Sequence, residues 1–125
     1  MKTLPNDLDN FTGTEQYHKV TLSTRIKATD GIAHLCQEVG CFWLMDIVAS
    51  VQNLPKVMEH SNFLIWRVIS TGNKGVVEAH WDCEEGGGYD GTKLVYKQSL
   101  TYTDFPEGEF EFYQQGDVVL LKSEH

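Results

Sequence analysis

The chain has 125 residues, 41% of them apolar, which suits one domain with its own core and leaves little room for two. Its formal charge of −8 is segregated: residues 1–75 carry seven Lys/Arg and seven Asp/Glu, whereas residues 76–125 carry three (Lys93, Lys97, Lys122) and eleven. That balance lacks the clustered Lys/Arg that phosphate contact needs, which argues against direct nucleic-acid binding, and it would be repelled by an anionic membrane leaflet.

Residues 1–17 are polar, contain Pro5 and Gly13, and read as an irregular arm. They lack the apolar stretch of a signal peptide. No apolar run in the chain reaches the ~18 residues of a membrane span. The three cysteines at irregular spacing make a poor disulfide framework, so a cytoplasmic protein is expected. Residues 18–23 (HKVTLS) alternate and suit a short strand or the start of a helix.

A helical region is expected over residues 29–53. Thr29-Asp30-Gly31 places a short oxygen side chain at a helix start. Ile32, Leu35, Cys36 and Val39 then follow at i, i+3, i+4 and i+7, which is one helical face. Gly40 interrupts this pattern and marks a break between two helices. Residues 41–51 (CFWLMDIVASV) are apolar nearly all round, the signature of a helix buried on several sides, and Pro55 is expected to end it.

Residues 62–122 read as an antiparallel sheet of about five strands, giving an α+β fold in one domain, residues 1–125. Residues 62–70 (NFLIWRVIS) are apolar on both faces except for Arg67, which suits a central strand. After the TGNKG turn, Val77, Ala79, Trp81 and Cys83 share one face, with Glu78, His80 and Asp82 on the other. Residues 84–93 hold four glycines and read as a loop. Leu94, Tyr96, Leu100 and Tyr102 then alternate with Lys97, Ser99 and Thr101. A DFPEG turn follows. Phe110 and Phe112 oppose Glu109, Glu111 and Tyr113, and residues 118–121 close the sheet. Short turns between alternating strands imply antiparallel pairing.

Four groups of residues could carry chemistry. His34, Cys36 and Cys41, with His80 and Cys83, have metal-ligand types but not zinc spacing. His34 and Cys36 point about 200° apart on a helix, and a free Cys on an apolar face acts as a small hydrophobe. No metal or cofactor is therefore expected. No specific Cys/His pair stands out for nucleophilic catalysis, and Gly86-Gly87-Gly88 does not open a helix as a phosphate loop would. Asp46, alone in an apolar helix, needs a partner or a solvent-facing position. Arg67 and Ser50 are natural partners. The fourth group is acidic: Asp104, Glu107, Glu109 and Glu111 lie within eight residues, Asp82, Glu84, Glu85 and Asp90 edge the preceding loop, and Phe105 and Tyr113 lie among them. Carboxylates at this density suit a basic protein partner. They equally suit edge protection against aggregation.

Read together, FTGTEQY (residues 11–17), TDG (29–31), CFWLMDIVAS (41–50), FLIW (63–66), YTDFP (102–106) and VVLLKSE (118–124) resemble an uncharacterised family of small bacterial, phage and plasmid proteins, known only as a domain of unknown function. The resemblance implies a mobile-element origin and carries no activity, cofactor or catalytic residue. The leading expectation is a non-enzymatic, anti-CRISPR or anti-restriction type of inhibitor. Its acidic half would occupy the basic groove of a nucleic-acid-binding host protein, with carboxylates in place of phosphates. The alternative is a small enzyme or ligand-binding domain with a pocket between core helix and sheet, near Asp46, Arg67, His34 and His80. A homodimer through an edge strand is the third reading.

Overall fold

The computed structural model describes residues 17–19, 26–60, 62–81 and 94–124. In chain order these form β1 (Lys27–Ala28), α1 (Asp30–Val39), α2 (Phe42–Ser50), α3 (Pro55–Glu59), β2 (Leu64–Thr71), β3 (Lys74–Trp81), β4 (Leu94–Leu100), β5 (Gly108–Gln115), β6 (Val118–Leu121) and a closing 3-10 turn, Lys122–Glu124.

Helix α1 begins where its cap predicts. The Thr29 hydroxyl accepts a hydrogen bond from the Ile32 N–H, and Ile32, Leu35, Cys36 and Val39 are buried on one face. Gly40 ends it with φ 76°, a left-handed cap that glycine adopts without a Cβ penalty, and its N–H bonds the Cys36 carbonyl. Helix α2 buries Leu44, Met45 and Val48, but Phe42, Asp46 and Ser50 are exposed. It is therefore covered on one side and open on the other, not enclosed as its composition suggested. Pro55 does not simply stop the chain's helical region. It opens α3 from the first turn, where its fixed φ and missing N–H cost nothing.

The sheet has six strands in the order β1-β6-β5-β2-β3-β4 and is mixed. Strand β1 runs parallel to β6, with Ala28 opposite Val119, and every other pairing is antiparallel. The expected antiparallel sheet of about five strands is thus the β2–β6 part, and the two-residue β1 adds the parallel edge. On the far side of β1, His18 bridges Ala28 through N–H···O contacts of 2.7 and 2.9 Å. β2 is central, as its two apolar faces predict. In β4 a register shift opposite Ala79 and His80 carries Leu94 off the face shared by Tyr96.

All three helices contribute to one face of the sheet. Leu64, Trp66, Val68, Val77, Ala79, Phe112, Val119 and Leu121 point into this layer and are buried with Leu44, Met45 and Val48. α1 is held to its end of the sheet by the last turn of the chain. The Glu124 carboxylate accepts hydrogen bonds from the Thr29 hydroxyl, the Gly31 N–H at 3.2 Å and the Leu121 N–H at 3.0 Å, so an anion sits at the helix N-terminus where the dipole favours it.

Candidate functional site at the open face and hairpin end of the sheet

The face away from the helices is charged. Strand register sets Arg67 between Glu78 on β3 and Glu111 on β5, Glu78 beside Lys97 on β4, and Lys122 just past β6 next to Glu111. A single row, Lys122–Glu111–Arg67–Glu78–Lys97, therefore alternates in sign across the sheet, the arrangement cross-strand pairs favour. Arg67 donates to Glu109 at 2.7 Å and lies 3.8 and 3.9 Å from Glu78 and Glu111. The hydrogen bond to Glu109, with the charges of all three glutamates, holds the Arg67 pKa above its ordinary value despite burial. Lys122 donates to Glu111 at 2.7 Å, which raises the Lys122 pKa likewise. His80 is buried on this face, its Nε2 at 3.1 Å from Glu78.

This placement changes the reading of Asp46. Asp46 is exposed on α2, in the helical layer, while Arg67 and His80 lie on the opposite face of the sheet. The space between α2 and the sheet is filled by core side chains, so Asp46, Arg67 and His80 do not line a common pocket there. His34 lies on α1, also in the helical layer.

At one end of the sheet, residues 101–107 form a tightly held turn. The Thr103 N–H donates to Asn73 O at 2.7 Å, Ser70 Oγ donates to Phe105 O at 3.1 Å, and the Gly72 N–H donates to Glu107 at 3.3 Å. The Thr103 hydroxyl accepts from the Phe105 N–H at 3.1 Å. Phe105 is buried as the plug of this turn, edge-on to Trp43 and against Phe110. It belongs to the core and not to any contact surface. Tyr102, in contrast, is 70% exposed, with Asp104 and Glu107 also exposed on the same turn. Sequence reading placed Tyr102 on the apolar side of a strand, but β4 ends at Leu100.

Of the other expected site residues, Glu109 and Glu111 are engaged by Arg67 and Lys122, and the Tyr113 ring lies tilted against Phe63, centroids 5.0 Å apart. Asp82, Glu84, Glu85 and Asp90 lie outside the described residues. Beside the turn, a groove of about 550 Å³ opens over Ile69, Thr71, Lys74, Gly75, Val76, Ser99, Leu100 and Thr101. Sequence reading missed it; its one signal was the outward parity of Ile69, Val76 and Ser99 on adjacent strands.

Cys36 and Cys41 flank Gly40 and are both fully buried. The hydrogen bond to Cys41 and then burial push the Cys36 thiol pKa far up, which leaves it protonated and unreactive. Among the described residues no group of three or more His, Cys, Asp or Glu is arranged to hold a metal ion, and no helix is long and apolar enough to cross a membrane.

A family model described as "Family of unknown function (DUF6876)" matches residues 2–125. The chain belongs to this family. No curated protein and no solved structure matches the chain.

Proposed function

We propose that this DUF6876 protein is a small non-enzymatic binding protein that engages a basic protein surface through the turn bearing Tyr102, Asp104 and Glu107, with Glu109 beside it. The carrying observation is that an exposed aromatic and two exposed carboxylates project from a turn tied by three hydrogen bonds to the β2–β3 hairpin. Such a surface is preorganised, so little conformational entropy is lost on binding. A tyrosine flanked by charge is a common anchor at interface centres.

The partner class follows from charge. The −8 of the last fifty residues complements Lys/Arg-rich grooves that hold nucleic acid, and an inhibitor of a host CRISPR effector or restriction enzyme is the partner class that a mobile-element origin would favour. Glu109 and Glu111 lie on β5 against Arg67 and Lys122, whereas Asp104 and Glu107 are the exposed carboxylates of the turn itself and are the ones to vary.

The test is capture from host lysate by the wild-type protein and by Tyr102→Ala/Asp104→Lys/Glu107→Lys in parallel, each eluted in a salt gradient. All three positions are exposed, so circular dichroism should show the variant folded. The reading predicts a nucleic-acid-processing protein that elutes from the wild type as salt rises and is missing from the variant. Equal retention by both, or no salt-sensitive partner, would contradict it.

A further inference from the structure

Strand register explains how the groove beside the turn is built. Ile69, Val76 and Ser99 form one row across β2, β3 and β4, and Thr71 and Lys74 form the next, with Thr101 following Leu100 beside them. The apolar floor of Ile69 and Val76 is thus closed at the hairpin end by one ammonium and two hydroxyls, with the Ser99 hydroxyl at its β4 side. Toward the sheet centre it meets the Arg67–Glu78–Lys97 row. Lys74 differs from Arg67 and Lys122: among the described residues it is in no ion pair. Its volume, about 550 Å³, is that of a small-molecule site.

We propose that this groove binds an amphipathic organic anion, its aliphatic or aryl body on Ile69 and Val76 and its carboxylate at the Lys74 ammonium and the hydroxyls of Thr71, Ser99 and Thr101. Charge fixes the orientation. The anionic head lies at the hairpin end by Lys74, because the flank of the groove on β5 presents Glu109 next to Ile69 and its sheet-centre end meets Glu78. Three strands span roughly 10 Å, which suits a short acyl chain. This site is independent of the protein partner proposed above, since it uses neither Tyr102 nor the carboxylates of the turn.

The probe is sodium octanoate, titrated into ¹⁵N-labelled protein, with octanol as the uncharged comparison. Saturable amide shifts confined to residues around Ile69, Val76, Ser99 and Thr101 are expected. Lys74→Ala should weaken octanoate binding by about fivefold, as expected for loss of one exposed charged contact, while Lys74→Arg retains it and octanol binds more weakly than octanoate. Lys74 is exposed at a hairpin end, so its variants should fold, and the shifts of distant amides will show that they do. The proposal is overturned by octanoate shifts that do not saturate or fall elsewhere, by unchanged affinity in Lys74→Ala, or by octanol binding as tightly as octanoate.

Discussion

Gln52 and Gln114 exchange hydrogen bonds between their side-chain amides inside the core, Gln114 Nε2 donating to Gln52 Oε1 at 2.8 Å and Gln52 Nε2 donating back at 3.2 Å. The remaining capacity is also used. Trp66 Nε1 donates to Gln114 Oε1 at 3.0 Å, Gln114 Nε2 donates to Gly116 O, and Gln52 Nε2 donates to Val48 O. The pair ties the end of α2 to β2, β5 and the last hairpin. Gln114→Leu should therefore cost about 2–4 kcal/mol, because it leaves the buried Trp66 indole and Gln52 amide without this partner. Urea unfolding of the variant measures this, and a loss under ~0.5 kcal/mol would show that buried water replaces the amide.

Arg67 holds three glutamates together on the open face. Arg67→Met should destabilise the fold by about 2 kcal/mol, less than a fully buried pair would, since this face is partly open to solvent. Much of that loss is repulsion among the carboxylates left behind. It should shrink in high salt and when Glu78 and Glu111 are also changed to Gln. Denaturant curves at two salt concentrations decide the point.

Lys122 gives a pH signature. Its hydrogen bond to Glu111 raises its pKa above the ordinary 10.5 in the folded state. A raised folded pKa contributes stability that is fully present below the unfolded value and is lost as pH climbs through the folded one. Lys122→Gln should thus be slightly less stable than wild type at pH 8, by under ~1 kcal/mol for an exposed pair. The difference should close above pH 10.5. A gap that stays constant into that range would mean that the ion pair contributes nothing.

Gly31 makes room for the Glu124 side-chain carboxylate. A Cβ there would lie 2.5 Å from Leu121 Cδ1 and 2.6 Å from Glu124 Oε1. Gly31→Ala should therefore destabilise by about 1–2 kcal/mol, even though alanine gains roughly 1 kcal/mol of helix propensity over glycine. Glu124→Ala should cost about 1 kcal/mol as a lost cap. The double variant should lose less than the sum, because both changes act on the same carboxylate.

These relationships show what a sequence exposes and what it hides. The α1 face, the break at Gly40, the central position of β2 and the opposed faces of β5 were legible because each rests on local periodicity or one glycine. Pro55 was read as a stop because a proline ends one helix and opens the next with equal ease. β1 was invisible at two residues, and its parallel partner lies 91 residues on. Arg67 was legible as the one charge of its strand and a natural partner for Asp46, but its position among three glutamates depended on which face of β2 the helices cover. The acidic run was plain in sequence. That Phe105 is core, that Tyr102 is exposed and that Glu109 and Glu111 face Arg67 depends on where β4 ends and on strand register.

The most direct test of the central claim is the affinity of the captured partner for wild type and for Asp104→Lys/Glu107→Lys, each measured at low and high salt. The account predicts that the wild type weakens steeply as salt rises, while the variant binds at least about tenfold more weakly at low salt and responds little to salt. Equal affinity and equal salt dependence in the two proteins would contradict it and leave the −8 as a contribution to solubility alone.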